Sequence, residues 1–70
     1  MTDKSDVATG KRIKDLRKKM GLTQKALAKK SGVHENTIAR LERGRHTIST
    51  PTAKSLSKAL DVDVSQILGI

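Results

Sequence analysis

Residues 35–43, ENTIARLER, carry side chains that can form hydrogen bonds with nucleobases. On a helix with 3.6 residues per turn, Ile38 and Leu41 define the buried side of this segment. Asn36, Arg40 and Arg43 then lie on the opposite side and face outward. In the major groove of duplex DNA, an amide can pair with adenine and a guanidinium group with guanine. The spacing therefore predicts a helix whose exposed face can read a base sequence.

The flanks of the same helix offer further groups that can contact bases. Glu35 can accept a hydrogen bond from the cytosine amino group, and Thr37 can contact a thymine methyl group. An acid in the first turn is also favoured by the helix dipole with no DNA involved. We predict that the base-reading residues are Glu35, Asn36, Thr37 and Arg40. The alternative is an ordinary polar helix face.

The composition narrows the class of partner. The 70 residues carry a net charge of +8 and contain no cysteine and no aromatic residue. The positive charge suggests a polyanionic partner. Modules that bind single strands usually stack bases on aromatic side chains, so duplex DNA fits better. No apolar run is long enough for a membrane span and no signal peptide is recognisable, so a soluble, cytoplasmic protein is expected.

Glycine and capping residues divide the chain into helices. Gly21, Gly32 and Gly44 each follow a segment with helical apolar spacing, where a left-handed residue can end a helix. The first predicted helix covers roughly Val7–Met20, the second runs from the N-cap Thr23 to Gly32, and the third runs from about Glu35 to Arg43. The fourth begins with Thr50 as N-cap and Pro51 at the first helical position. Residues 61–70 are predicted to form one or two further turns, with Val64, Ile67 and Leu68 facing inward. No strand is expected.

The connection between the second and third helices is short. Only Ser31, Gly32, Val33 and His34 separate them, which suits an angled corner better than antiparallel packing. Ala28 provides a small residue where the two helices would touch. The pattern predicts a helix-turn-helix arrangement.

The segment GLTQKALAKKSGVHENTIARLERG, residues 21–44, resembles the core of the lambda-repressor/Cro-like helix-turn-helix domains (the XRE family). The resemblance extends over about residues 13–68. It implies an all-α, compact five-helix bundle over residues 7–70, with the helix-turn-helix at helices 2 and 3 and a flexible N-terminal arm of residues 1–6. His34 stands where the family usually has Ser or Thr as N-cap. Because His caps poorly, the third helix is expected to begin less firmly than usual.

The resemblance also implies a function. It indicates a sequence-specific regulator of transcription that binds double-stranded DNA, most readily a repressor on a palindromic operator. The family uses the Gln that matches Gln24 to contact the DNA backbone, at a helix N-terminus where free N–H groups favour phosphate. The expected phosphate-contacting residues are Thr23, Gln24, His34, Arg43 and Arg45, and His46 and Thr47 are further candidates in the loop that follows the third helix.

The acids of the central segment are few. Between Leu16 and Leu60 there are eleven Lys or Arg residues, but Glu35 and Glu42 are the only carboxylates. Glu42 falls near the inward side of the third helix, where it needs a cation. The family pairs a Glu at this position with an Arg of the first helix, which implies a structural ion pair between Arg17 and Glu42.

Other classes of function have little support in the sequence. Catalysis or metal binding would need a cluster of titratable groups, but the chain has two histidines and carboxylates mostly at its ends. We therefore expect no enzyme, metal, cofactor or small-molecule ligand. The remaining alternative is a protein-interaction module, an antitoxin or adaptor with the same fold.

The last predicted helix ends at the last residue, so any dimer is expected to use the DNA-binding domain itself. We expect a weak homodimer, formed or stabilised on DNA, with the third helices about 34 Å apart. The candidate apolar interface residues are Ile48, Val62, Ile67 and Ile70, and the alternative for each is a place in the core.

Overall fold

A computed structural model describes residues 4–70 as five α-helices without a strand. The helices are α1 (Lys4–Lys19), α2 (Gln24–Ser31), α3 (Glu35–Glu42), α4 (Thr50–Leu60) and α5 (Val64–Leu68). The predicted all-α, five-helix fold is confirmed. In the part of the chain that is described, no helix has the length and apolar character needed to cross a membrane.

The first helix begins earlier than predicted. It begins at Lys4 rather than Val7, so residues 4–6 of the predicted arm are helical, and residues 1–3 lie outside the described residues. Asp6 in the first turn is favourable with the helix dipole. Its carboxylate also accepts a hydrogen bond from the Thr47 hydroxyl at 3.1 Å. The start of α1 is therefore connected to the loop between α3 and α4.

The core is aliphatic and receives a side chain from every helix. The largest fully buried side chains are Ile13, Leu27, Ile38, Leu41, Leu56 and Ile67. Val64 and Leu68, both predicted to face inward, are half-buried. Ile67, also considered for a dimer interface, is fully buried, so its side chain is not available to a partner.

A close approach between α1 and the end of α3 depends on Gly10. A Cβ atom at this position would overlap the carbonyl oxygen of Leu41. Both groups belong to helix backbones, so neither can move aside cheaply. Gly10 therefore sets how closely α1 packs against α3.

The turn between α2 and α3 has the predicted form. Gly32 adopts φ 75° and ψ 7°, a left-handed conformation that a residue with a side chain rarely adopts, and its N–H donates to the Ala28 carbonyl. The Val33 N–H donates to the Ser31 hydroxyl at 3.1 Å. Thr23 caps α2 as predicted, because its hydroxyl accepts from the Ala26 N–H at 3.0 Å.

The cap of α4 differs from the prediction by one residue. Ser49, not Thr50, is the N-cap, and its hydroxyl accepts from the Thr52 N–H at 3.3 Å. Thr50 is the first helical residue and Pro51 the second. Two adjacent hydroxyl residues are almost equivalent as caps, and Pro is tolerated throughout the first turn, so the pattern alone could not separate them.

Candidate nucleic-acid interface

α3 is oriented by two aliphatic side chains. Ile38 is 0% exposed and Leu41 is 1% exposed. Asn36 and Arg40, on the opposite side of the helix, are both exposed. The predicted orientation of the helix is confirmed. Its outward face presents an amide and a guanidinium group without a covering segment.

The residues on the flanks of α3 differ in how far they are exposed to solvent. Glu35 is exposed, whereas Thr37 and Ala39 are half-buried at the edges of the helix. Thr37 therefore lies on a flank of α3 rather than on its outermost line. The face that can meet a ligand most directly consists of Glu35, Asn36 and Arg40.

The N-terminus of α3 is capped, contrary to the expectation for a histidine. His34 has the extended backbone of an N-cap residue (φ −60°, ψ 139°), and its Nδ1 accepts a hydrogen bond from the Asn36 N–H at 3.1 Å. A ring nitrogen with a free lone pair can replace the hydroxyl oxygen of Ser or Thr in this role. The expectation that His34 would be a poor cap is wrong, because it did not consider the tautomer in which Nδ1 accepts.

The other end of α3 carries two exposed arginines. The Arg43 N–H donates to the Ala39 carbonyl, and the Arg45 N–H reaches back to the Arg40 carbonyl at 3.0 Å. These backbone bonds fix the positions from which both arginine side chains extend. His46 and Thr47 follow in the same exposed loop. Cationic side chains thus continue the polar face of α3 beyond its last turn.

The ion pair between Arg17 and Glu42 is present and joins α1 to α3. Arg17 Nε lies 2.7 Å from Glu42 Oε2, and Arg17 Nη2 donates to Oε1 at 3.0 Å. A third donor, Nη1, reaches the Leu22 carbonyl at 2.8 Å. The two side chains are 11% and 4% exposed. The hydrogen bond with Glu42 raises the pKa of Arg17, although burial acts in the opposite direction.

Gln24 belongs to the same network, which the sequence did not predict. Its Nε2 donates to Glu42 Oε1 at 3.1 Å. A carboxamide has two N–H donors, so the second one and the carbonyl oxygen stay available. Gln24 is half-buried at the first position of α2. The Arg17–Glu42 pair therefore also orients a side chain at the N-terminus of α2.

The residues predicted for DNA binding fall into two groups in space. Glu35, Asn36, Thr37, Arg40, Arg43 and Arg45 follow α3 and its C-terminal extension, and His34 begins the same helix. Thr23 and Gln24 lie at the start of α2, and the Glu42 contact brings Gln24 to the end of α3. Among the described residues, no group of three His, Cys, Asp or Glu side chains could hold a metal ion.

Comparison with known proteins agrees with this geometry. A sequence profile of the helix-turn-helix family matches residues 13–67. The chain therefore belongs to this family, which consists of DNA-binding regulators of transcription. The resemblance drawn from residues 21–44 is confirmed.

Individual relatives are regulators of several kinds. The chain is 38% identical over 63 residues to the immunity repressor protein of Bacillus phage phi105, which covers 90% of this chain and 44% of that protein. It is 35% identical to the regulator ImmR of Bacillus subtilis, covering 90% and 50%. The restriction-modification controller protein C.AhdI of Aeromonas hydrophila superposes with a TM-score of 0.86 at 32% identity, covering 89% of this chain and 94% of that one. The chain thus spans half or less of the two Bacillus-related regulators.

Proposed function

We propose that this protein regulates transcription by binding a specific sequence of double-stranded DNA, with α3 in the major groove. The observation that carries the proposal is the orientation of α3. Ile38 and Leu41 are buried, and Asn36 and Arg40 are both free to reach a ligand. The major groove of DNA, about 12 Å wide, can accept a helix with its polar side facing the bases.

Each exposed side chain on α3 has a matching base edge. Arg40 donates bidentately to guanine, and Asn36 pairs with the acceptor and donor of adenine. Glu35 accepts from the cytosine amino group, and Thr37 contacts a thymine methyl group from the flank. Glu35 repels phosphates, so it lowers general affinity for DNA while favouring sequences that offer it a donor. In this role it increases discrimination rather than attraction.

Phosphate contacts fix the position of the helix in the groove. Arg43 and Arg45 hold the backbone at the C-terminal end of α3. At the start of α2, the free N–H of the Gln24 amide and the Thr23 hydroxyl donate to a second phosphate. Thr23 can do so while it caps α2, because a hydroxyl group donates and accepts at once. His34 contacts a phosphate beside the N-terminus of α3.

Two copies bind a palindromic operator and exclude RNA polymerase, so the regulator acts as a repressor at the nucleoid in the cytoplasm. Their α3 helices lie about 34 Å apart, one turn of DNA. A groove of about 480 Å³ between α4 and α5, lined by Lys54, Lys58, Val62 and Asp63 among others, supports pairing of copies, because it carries both signs of charge beside apolar side chains. Ile70, 88% exposed, adds apolar surface. Small contacts of this kind give a weak homodimer that DNA stabilises.

Selection of bound duplexes from a random pool, at about 50 mM and about 200 mM salt, tests the proposal. A symmetric motif is expected at both concentrations. With the selected duplex, Arg40→Ala should weaken binding by about 1–3 kcal/mol and relax preference at one base pair, whereas Arg43→Ala should weaken all sequences alike. Lys14→Ala removes an equal charge from the exposed side of α1 and is the control.

Two results would contradict the proposal. One is affinity that depends steeply on salt but is indifferent to sequence. The other is an Arg40→Ala variant that behaves like Lys14→Ala in both affinity and base preference.

A further inference from the structure

The cap of α3 is the only one of three side-chain caps in the described chain that a proton can remove. α2 and α4 are capped by the hydroxyl groups of Thr23 and Ser49, which do not titrate. α3 is capped by His34, whose Nδ1 accepts the Asn36 N–H at 3.1 Å. This bond requires an unprotonated Nδ1, so a neutral ring carries its proton on Nε2.

Protonation reverses this contact. In the imidazolium form both ring nitrogens are donors, so Nδ1–H would face the Asn36 N–H and the cap would be lost. The new positive charge would also lie at the positive end of the α3 dipole. Asn36 would then be held less firmly, and it belongs to the exposed face of the helix.

The same proton has an opposite effect on general attraction to DNA. An imidazolium adds one positive charge beside the α3 face, where Arg40 already lies. In sequence, the nearest charged residues on the two helices that flank the turn are Lys30 on α2 and Glu35 on α3, both exposed. The Ser31 hydroxyl is used by the Val33 N–H. An added charge strengthens binding to any phosphate backbone.

We propose that His34 is a positioning residue that makes sequence discrimination pH-dependent: the neutral ring fixes Asn36 for base reading, and the protonated ring releases it while increasing non-specific affinity. This inference rests on the proposed function, because it assumes that α3 reads bases. It predicts that acidification increases the affinity for any DNA sequence but lowers the preference for the specific one. The ratio of specific to non-specific affinity should fall as the pH is lowered from about 8 to about 5.5.

The first experiment needs no DNA. In the full chain, the backbone amide resonance of Asn36 should shift with pH in parallel with the ring resonances of His34. In His34→Asn the shift should be absent, because Asn is a favourable N-cap that does not titrate in this range, so the variant also keeps the helix folded. Both proteins carry His46→Gln, which removes the other histidine near α3. If the Asn36 amide resonance does not change while the His34 ring resonances shift with pH, the proposal is overturned.

The second experiment measures binding by fluorescence anisotropy at constant ionic strength. The probes are the duplex recovered by selection and a scrambled duplex of the same composition. The affinity ratio should fall about fivefold on acidification, the factor in an equilibrium constant that an average N-cap contributes. In His34→Asn it should stay constant. If the amide titrates but the ratio does not change, the proposal is wrong; if no motif is selected even at pH 8, the proposed function fails instead.

Discussion

Replacing Glu42 with Gln would leave Arg17 without its counter-charge. The Glu42 carboxylate accepts two hydrogen bonds from Arg17, at 2.7 and 3.0 Å, and one from Gln24 at 3.1 Å. A Gln side chain has almost the same shape, but it offers one acceptor oxygen and turns an NH₂ group toward either the guanidinium group or the Gln24 amide. The Arg17 side chain, 11% exposed, cannot regain full hydration.

The expected loss of stability is large for a chain of this size. Removing one partner of a buried ion pair typically costs about 3–5 kcal/mol. Arg17 keeps its hydrogen bond to the Leu22 carbonyl and a little water contact, so we expect the lower end, about 3 kcal/mol. A chain of 70 residues has a free energy of unfolding on the order of 4–10 kcal/mol. The substitution would therefore remove about 30–75% of it.

Urea unfolding followed by circular dichroism measures this loss. Glu35→Gln is the matched control: it is the same substitution on the same helix at an exposed site, and it should cost less than about 1 kcal/mol. Arg17→Met and the double variant complete a cycle whose coupling energy should be about 1–3 kcal/mol. Equal losses for the two glutamate variants, or zero coupling, would refute the reasoning.

The arginine side of the pair should not make stability depend on pH near neutrality. Folding raises the pKa of Arg17, so its contribution is fully present below the unfolded-state value and is lost only as the pH rises through the higher folded value. Both values lie far above neutral pH. The difference between wild type and Glu42→Gln should therefore stay constant from about pH 7 to about pH 9. A difference that shrinks over this interval would contradict the assignment.

Two further substitutions test the packing and the caps by thermal unfolding. Gly10→Ala should lower the free energy of unfolding by about 1–3 kcal/mol, because the added methyl group overlaps the Leu41 carbonyl. Helix propensity alone predicts the opposite, a gain of about 1 kcal/mol. Lys11→Ala, at the exposed neighbouring position, is the control, and a Gly10→Ala variant more stable than wild type would disprove the close approach. Ser49→Ala should lower the free energy of unfolding by about 1 kcal/mol and Thr50→Ala by less than about 0.5 kcal/mol, because Ser49 provides the cap. A larger loss for Thr50→Ala would show that Thr50 is the cap instead.

The sequence predicted the fold because periodicity and helix ends agree along most of the chain. Ile38 and Leu41 have the spacing of one helix face, and Gly32 lies where a left-handed residue must end α2. These are local signals, so each can be read without knowing what lies across the core. The exposure of Asn36 and Arg40 follows from the same geometry.

The contacts between distant segments could not be read in this way. Nothing in the pattern connects Gln24 with Glu42, or Asp6 with Thr47, because each bond depends on the packing of two helices or of a helix and a loop. The Arg17–Glu42 pair was expected only through resemblance to a family. The His34 cap was missed for a different reason: residue preferences average over the tautomers of histidine, and only the acceptor form caps a helix.

The two ends of α3 are held by contacts of unequal strength. Its C-terminal end is fixed by the close approach of Gly10 to Leu41 and by the ion pair of Glu42, both of which involve α1. Its N-terminal end is held by the turn at Gly32 and by one exposed hydrogen bond from Asn36 to His34. A contact near water is weaker than a buried charged one. Arg40 therefore extends from the firmer half of the helix and Asn36 from the half that opens more readily, so changes in solution conditions should act first on the contacts of Asn36.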